Sequence, residues 1–392
     1  MMEFEYWWLL TLPLFFTLGW MAARVDIKQL LSESTTLPAA YFKGLNFVIS
    51  DQPQKAIEAF TDAVRVNSTS LELHFALGSL FRRTGEVDRA IHLHLDLLDN
   101  RDLAEPQKRA VKAELAQDYL KAGLYDRAEE LFKTLDDHRY RQPALRALLE
   151  IYVREREWAK AIAIATELER LSGIPFRREI GQYYCELALT SLLAGDTHSA
   201  GHELSLALDA NKNCVRANVM LGDIEAEAGA HRAAISYWKR IEFQQPEYLG
   251  LVAAKLLKSY RALKKLEDGI AQLNEYASTY KLASLLTALY EATLAEQGAE
   301  NAAKLARNEL IRKPSLQTLD QLLQARAMDQ SPRSQVNEQD LQLMQQTVRN
   351  AIGNRRAYFC DQCGFRAKQY HWQCPACNAW ESLPAEPNET NN

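Results

Sequence analysis

The sequence predicts an all-α protein in which repeated helical hairpins stack into a superhelix, with a transmembrane helix before the repeats and a small metal-binding domain after them. Three observations support this prediction. Small and apolar residues recur at nearly constant spacing, an uncharged run extends from position 6 to position 23, and four of the six cysteines lie between positions 360 and 377. Only 16 glycines and 12 prolines occur among 392 residues, which favours helices over a sheet-rich fold.

The composition argues against several classes of function. Lys and Arg total 46 and Asp and Glu total 51, so the net charge of −5 argues against a protein that coats nucleic acid. Six cysteines are too few for a disulfide scaffold of this length. The sequence contains no phosphate-binding G-x-x-x-x-G-K-[ST] loop, no H-E-x-x-H motif and no G-x-S-x-G motif, so we expect no enzyme activity.

The uncharged run, residues 6–23, predicts a transmembrane anchor. A helix of this length is about 27 Å long, close to the ~30 Å hydrocarbon core of a bilayer. Glu3 and Glu5 precede the run, where a secretory signal peptide would carry basic residues, although a cleaved signal peptide remains the alternative. Arg24 and Lys28 follow the run, and their positive charge places the rest of the chain in the cytoplasm.

The middle of the chain repeats a set of small and large residues at nearly constant spacing. The first copy consists of Gly44, Phe47, Ala56, Phe60 and Ala63. One period later the second copy consists of Gly78, Phe81, Ala90, His94 and Leu97. Later copies are looser, and the pattern sharpens again at Gly222, Ala234 and Trp238. The small residues let the two helices of a hairpin pack closely, and the large ones fill the space between hairpins.

These positions resemble the tetratricopeptide pattern, which implies about eight stacked helical hairpins. Arrays of this kind present a concave groove, lined by the first helix of each hairpin, that binds a peptide or a protein. Arg82, Arg83 and Gln117 are the candidate groove residues, because each falls in the first helix of its hairpin. The alternative for each is a solvated helix face without a partner.

The C-terminal cysteines form two C-x-x-C pairs with a separation that is typical of one tetrahedral metal site. The candidate ligands are Cys360, Cys363, Cys374 and Cys377. Four thiolates indicate zinc or iron, and the alternative is two disulfides or free thiols. So short a segment holds little apolar core, so we expect the metal to supply most of its folding energy. Cys185 and Cys214 stand apart, and we expect both to be small buried residues within helices.

A closed shell of four sulfur ligands leaves no open coordination position, which argues against hydrolytic catalysis. Iron in such a site could carry one electron, so an electron carrier docked through its helical repeats is the alternative function. A nucleic-acid-binding zinc ribbon is a third hypothesis, based on the basic residues Arg355, Arg356, Arg366 and Lys368. The negative net charge and the predicted anchor weigh against it.

The order of anchor, repeats and four-cysteine tail resembles the lipopolysaccharide assembly protein B family. The stretches that carry the resemblance are GSLFRRTGEVDRAI (78–91), AGLYDRAEELF (122–132), YYCELAL (183–189) and the tail from Cys360 to Trp380. The resemblance implies a bacterial inner-membrane adaptor that presents the deacetylase of lipid A synthesis to a membrane AAA+ metalloprotease. It also implies a link to the lipopolysaccharide transport machinery, and a rubredoxin-type site with one iron ion, or zinc as the alternative, on the four cysteines.

The sequence therefore predicts six segments and leaves the oligomeric state open. They are an anchor (1–23), a linker (24–38), the repeat array (39–328), a second linker with one helix (329–354), a rubredoxin-like or zinc-ribbon metal domain (355–383) and a disordered tail (384–392).

Overall fold

The fold comes from a computed structural model that describes residues 16–17, 39–68, 70–99, 103–312, 314–328, 338–386 and 388–389. Among these residues, no helix is both long enough and apolar enough to span a bilayer. The predicted anchor and the linker after it lie outside the described residues, apart from residues 16–17, so the anchor remains a prediction. The chain divides into two compact units, Met1–Ile151 and Tyr152–Asn392.

The first unit is built from helical hairpins, as the repeat pattern predicts. Its helices are α1 (Ala39–Ile49), α2 (Pro53–Val66), α3 (Leu71–Thr84), α4 (Val87–Asp99), α5 (Glu105–Ala122), α6 (Tyr125–Lys133) and α7 (His138–Arg154), whose last three residues belong to the second unit. Gly85 ends α3 in the left-handed conformation, with a φ of 87°, where a side chain would be strained.

The repeat register is confirmed by the space around the small residues. A Cβ added at Gly44 would lie 2.9 Å from the Phe60 ring, and one added at Gly78 would lie 2.4 Å from the His94 ring. In these two hairpins the helices therefore touch where the sequence places a glycine opposite a ring. Phe60 and Phe81 are almost fully buried in the same apolar cluster.

The second unit continues the hairpins and ends in a cysteine-rich segment, residues 358–386. Its helices are α8 (Trp158–Ser172), α9 (Arg177–Leu193), α10 (Thr197–Ala210), α11 (Val215–Glu227), α12 (His231–Lys239), α13 (Ile241–Gln244), α14 (Leu249–Ala262), α15 (Leu266–Tyr280), α16 (Ala283–Gln297), α17 (Ala299–Arg312), α18 (Leu316–Met328) and α19 (Glu338–Arg355). A short 3-10 helix, Pro246–Tyr248, precedes α14.

One apolar cluster of this unit is organised around Trp238. A Cβ added at Gly222 would lie 2.2 Å from Trp238 Nε1, so α11 and α12 are in direct contact there. Trp238 is 1% exposed, and its Nε1 donates a hydrogen bond to the Val219 carbonyl oxygen over 3.2 Å. Leu256 and Leu273 extend the same cluster into α14 and α15. The glycine and the tryptophan that the pattern selects are therefore the centre of a hairpin contact.

The C-terminal segment adds a small antiparallel sheet that the all-α prediction omits. Its strands are β1 (Arg356–Phe359), β2 (Arg366–Ala367) and β3 (Asn388–Glu389), in the order β2-β1-β3, with Tyr358 opposite Ala367. Of the predicted disordered tail, residues 384–392, the structure describes residues 384–386 and 388–389. Ala385 is 7% exposed and β3 pairs with β1, and the disorder of the tail as a whole stays a prediction.

Candidate metal centre

The four cysteines of the C-terminal segment come together with the spacing of a metal site. The Sγ atoms of Cys360 and Cys377 are 3.6 Å apart, those of Cys363 and Cys374 are 3.8 Å apart, and all four lie within 4.8 Å of one another. A tetrahedron with metal–sulfur bonds of about 2.3 Å has edges of about 3.8 Å. All four thiols are free, and these separations are far longer than the ~2.05 Å of a disulfide.

Two loops of the same geometry hold these sulfurs. The amide of Cys360 donates to the Phe365 carbonyl oxygen over 2.9 Å, and the amide of Gly364 donates back to the Cys360 carbonyl oxygen over 2.8 Å. Cys374 and Asn378 make the equivalent bonds in the second loop. Gly364 and Asn378 both adopt the left-handed conformation, with φ of 72° and 58°. Glycine and asparagine tolerate that conformation best, which explains these residues after each C-x-x-C pair.

The pKa values of Cys360 and Cys363 indicate that a cation is needed to keep all four cysteines ionised. Burial raises the pKa of Cys360, but its hydrogen bond with the Ser382 hydroxyl and the hydrogen bonds from nearby backbone amides outweigh burial and lower that pKa to about 6. At Cys363 the amide of Phe365 lowers the pKa, whereas burial and the neighbouring thiols outweigh it and raise the pKa to about 12. Four thiolates therefore do not coexist here unless a metal ion neutralises their mutual repulsion. The donor set fits one zinc or iron ion.

The cysteine-rich segment is fastened to α9 by a buried carboxylate. The Glu381 side chain is 5% exposed and accepts hydrogen bonds from Arg178 Nε over 2.6 Å and from Gln182 Nε2 over 2.7 Å. A second guanidinium nitrogen of Arg178 donates to the Glu381 carbonyl oxygen over 3.1 Å. Arg178 and Gln182 are four residues apart in one helix, so both face the same carboxylate.

An aromatic cluster forms around Trp380, the residue before Glu381. The Trp380 ring meets Trp158 and Tyr183 edge-to-face, with centroid distances of 6.2 Å in both cases. The Arg216 guanidinium, at the start of α11, lies 5.8 Å from the centroid of the Trp380 ring. Edge-to-face pairs and a cation over an indole ring both stabilise a contact beyond the apolar area that they bury.

A second aromatic contact involves the 3-10 helix. The Trp372 ring stacks on Tyr248, with a centroid distance of 5.5 Å and an interplanar angle of 6°. Tyr370 stands edge-on to Trp372 at 5.1 Å. Tyr248 belongs to the apolar cluster around Trp238, and Tyr370 and Trp372 pack against that cluster, so the cysteine-rich segment shares its core with the repeats.

The last contact lies at the start of α16. Glu386 accepts from the Ser284 amide, with both carboxylate oxygens at 3.3 Å, and from the Ser284 hydroxyl. A Cβ at Gly250 would lie 1.9 Å from Ser284 Oγ and 3.4 Å from Glu386 Oε1, so only glycine leaves room there. Together with the contacts to α9, α11 and Tyr248, this places the cysteine-rich segment against the first helices of four consecutive hairpins, α9, α11, α14 and α16.

The predicted groove residues of the first unit have different environments. Arg82 is already engaged, because its guanidinium bonds Glu114 and Asp118, both at 2.6 Å. Asp118 in turn bonds the buried ring of His94. Arg83 is exposed on α3, and Gln117 is half-buried on α5. No observation tests a groove at these positions, so the partner-binding role of Arg82, Arg83 and Gln117 stays a prediction.

Sequence comparison assigns the chain to a family. It is 32% identical to lipopolysaccharide assembly protein B of Escherichia coli K12 over 95% of this chain and 96% of that protein. The chain belongs to the lipopolysaccharide assembly protein B family. The family member from Haemophilus influenzae is 29% identical over 98% of each chain.

Two domain families match as well. A zinc-ribbon family described as a rubredoxin metal binding domain matches residues 358–385, and a tetratricopeptide repeat family matches residues 43–104. These matches support the repeats and a metal-binding cysteine cluster; the zinc-ribbon match favours zinc, and nothing in the cluster favours iron over it. A solved tetratricopeptide repeat protein from Parabacteroides merdae is 16% identical, aligns over 79% of this chain and 98% of its own, and has a TM-score of 0.25.

Proposed function

We propose that this chain is an adaptor of lipopolysaccharide assembly that works by binding other proteins and carries out no chemistry itself. The observation that carries the proposal is the match, over nearly the whole chain, to proteins named lipopolysaccharide assembly protein B. Tetratricopeptide repeats are protein-binding modules, which supports an adaptor role within that pathway.

The more specific proposal concerns the bound proteins. In it the chain holds the deacetylase of lipid A synthesis next to a membrane AAA+ metalloprotease, so that the deacetylase is degraded, and it also contacts the lipopolysaccharide transport machinery. Residues 6–23 would tether the chain to the inner membrane, with the repeats in the cytoplasm. Tethering raises the effective concentration for other membrane proteins to about the mM range for short flexible linkers.

The metal has a structural role in this proposal. The four cysteines that would hold the ion complete its coordination shell, so no position is left for a substrate. When bound, the ion would bring order to the two loops, and the loops present Trp372, Trp380 and Glu381 to the hairpins. The metal therefore acts through the fold, and we expect zinc to support function as well as iron does.

A tether-exchange experiment tests the adaptor proposal in the host bacterium. Three strains would carry the full chain, a chain of residues 24–392, and a chain in which an unrelated transmembrane helix replaces residues 6–23. We expect a short deacetylase half-life with the first and third chains and a long one with the second, and we expect crosslinking to capture the protease and the deacetylase together. Normal deacetylase turnover with the untethered chain would contradict the membrane adaptor.

A further inference from the structure

Two cysteines outside the metal centre form a buried pair. Cys185 lies on α9, and Cys214 is the residue just before α11. Their Sγ atoms are 3.7 Å apart, both residues are 0% exposed, and both thiols are free. The sequence predicts that both are small buried residues within helices. Their burial is confirmed, but only Cys185 lies within a helix, since Cys214 is an N-cap residue. Their contact comes from the packing of two successive hairpins, which no local spacing reveals.

The pair lies next to the residues of α9 and α11 that contact the cysteine-rich segment. Gln182 Nε2 is 3.9 Å from Cys214 Sγ and donates a 2.7 Å hydrogen bond to Glu381. Arg216, two residues after Cys214, donates to Gln182 Oε1 over 3.3 Å, and its guanidinium faces Trp380. Gln182 thus touches both Cys214 and Glu381, and Arg216 links Gln182 to Trp380.

The two thiols are not equivalent. The hydrogen bond between Cys185 and Cys214, aided by the Ala217 amide and opposed by burial, lowers the pKa of Cys214. That same hydrogen bond and burial raise the pKa of Cys185. Cys214 is therefore the thiol that ionises first, and Cys185 is the proton donor next to it. If the pair reacts, Cys214 is therefore the attacking cysteine and Cys185, whose sulfur is 3.7 Å away, is the resolving one.

We propose that Cys185 and Cys214 are an oxidisable dithiol, and that the disulfide between them loosens the cysteine-rich segment from α9 and α11. The oxidant is a peroxide. The Cys214 thiolate attacks one oxygen of hydrogen peroxide, giving a sulfenic acid and hydroxide, which takes up a proton to become water. The Cys185 sulfur then attacks the Cys214 sulfur, the S–S bond forms, and the second oxygen leaves as water. Two thiols lose two electrons and two protons, and one peroxide becomes two water molecules.

We call the contact of Glu381 and Trp380 with α9 and α11 the docking contact. The disulfide would disturb this contact because the two sulfurs must move closer together. The sulfurs must approach from 3.7 Å to about 2.05 Å. That approach draws the start of α11 toward α9 and shifts Gln182 and Arg216, whose contacts with Glu381 and Trp380 depend on position. Because both sulfurs are buried, peroxide reaches them only during local opening of this contact. A looser contact should therefore speed the reaction.

Peptide mapping of the peroxide-treated full chain tests the modification. Trypsin cuts after Arg178, Lys212 and Arg216, so the two cysteines fall in different peptides, 179–212 and 213–216. We expect a linked pair of these peptides without reductant, lighter by two hydrogens than the sum of its parts and absent after dithiothreitol. Glu381→Gln, which weakens the docking contact, should speed the linkage roughly tenfold. The reference dose is the amount of peroxide that oxidises half of the metal-binding cysteines. If Cys185 and Cys214 can both still be alkylated after that dose, the proposal is wrong.

Hydrogen exchange tests the conformational part. We expect peroxide to raise exchange of residues 370–386 in the wild-type chain and dithiothreitol to reverse the rise. The same peroxide should leave exchange unchanged in Cys185→Ala, which keeps every metal ligand; Cys214→Ala serves as the second variant should the first misfold. An equal rise in the wild-type chain and in the variant would show that oxidation of the metal ligands causes the effect, and the proposal would be wrong. A disulfide that forms without any rise in exchange would also overturn it.

Discussion

The hairpins around Trp238 and the four-cysteine segment are stabilised in different ways. Trp238, Leu256 and Leu273 are all at most 1% exposed in a cluster that spans several helices. The buried side chains of the cysteine-rich cluster are two metal-binding cysteines, Ala367 and Leu383, a core far too small to order the segment alone. The repeats therefore carry their own core, whereas the cysteine-rich segment depends on sulfur ligation and on the surface of the hairpins.

The difference shows how one chain combines periodic and non-periodic stability. Each hairpin packs on its neighbours, so its stability is spread over many local contacts. The cysteine-rich segment concentrates its stability in one ion and in a few contacts, among them that of the Glu381 side chain, which is 5% exposed. A substitution in the repeats should thus lower stability only near the substituted hairpin. A substitution in the cysteine-rich segment should lower the stability of the whole segment.

The largest expected effect follows from loss of a metal ligand. Cys374→Ser should abolish metal binding and the order of residues 358–386, because ligation supplies on the order of 10 kcal/mol in small zinc domains. Metal content and hydrogen exchange of the full chain measure the outcome. Cys185→Ala is the matched control, since Cys185 is equally buried but lies outside the sulfur cluster, and it should keep its metal. Full metal content in Cys374→Ser would show that the site is not built from these four cysteines.

The next effect tests the repeat core. Gly222→Leu must displace Trp238, whose Nε1 would lie 2.2 Å from the new Cβ, and should lower the free energy of unfolding by about 3 kcal/mol. Gly201→Leu is the control, because nothing lies within 4 Å of a Cβ at that helical position. Thermal unfolding should separate the two variants, and an unchanged melting temperature in Gly222→Leu would contradict the repeat register.

A smaller effect is expected at the docking contact. Glu381→Gln removes the charge that Arg178 and Gln182 bind, and Arg178 is half exposed, so we expect a loss of about 1–2 kcal/mol, confined to the segment. Exchange should rise in residues 370–386 and stay constant in α12. Glu300→Gln, at a 75% exposed ion pair, is the control and should change stability by less than about 0.5 kcal/mol. Equal behaviour of the two variants would mean that Glu381 does not fasten the segment.

The smallest effect is expected at the start of α16. Ser284→Ala removes the hydroxyl that binds Glu386 but keeps the backbone amide, so we expect a loss of about 0.5–1 kcal/mol. Exchange of residues 383–386 is the readout. A loss as large as that from Glu381→Gln would reverse the order of the two contacts.

Sequence alone predicts whatever depends on local spacing. The hairpins follow from pairs such as Gly78 and His94, and the metal cluster follows from two C-x-x-C pairs. The docking contact is out of reach because Arg178 and Glu381 are 203 residues apart and belong to no periodic pattern. The strands β2 and β3 have two residues each, too few for an alternating pattern.

The environment of Arg82 shows a signal that sequence analysis missed. Its partner Glu114 lies 32 residues further on, close to one repeat length, so the two fall on successive hairpins. Opposite charges one repeat apart therefore indicate an ion pair between successive hairpins.

Hydrogen exchange of the full chain before and after metal removal by a chelator tests the difference between the two regions most directly. We expect residues 358–386 to lose their protection and α11 and α12 to keep theirs, because only the first region depends on the ion. Unchanged protection of residues 358–386 without metal, or collapse of the hairpins together with them, would contradict that dependence.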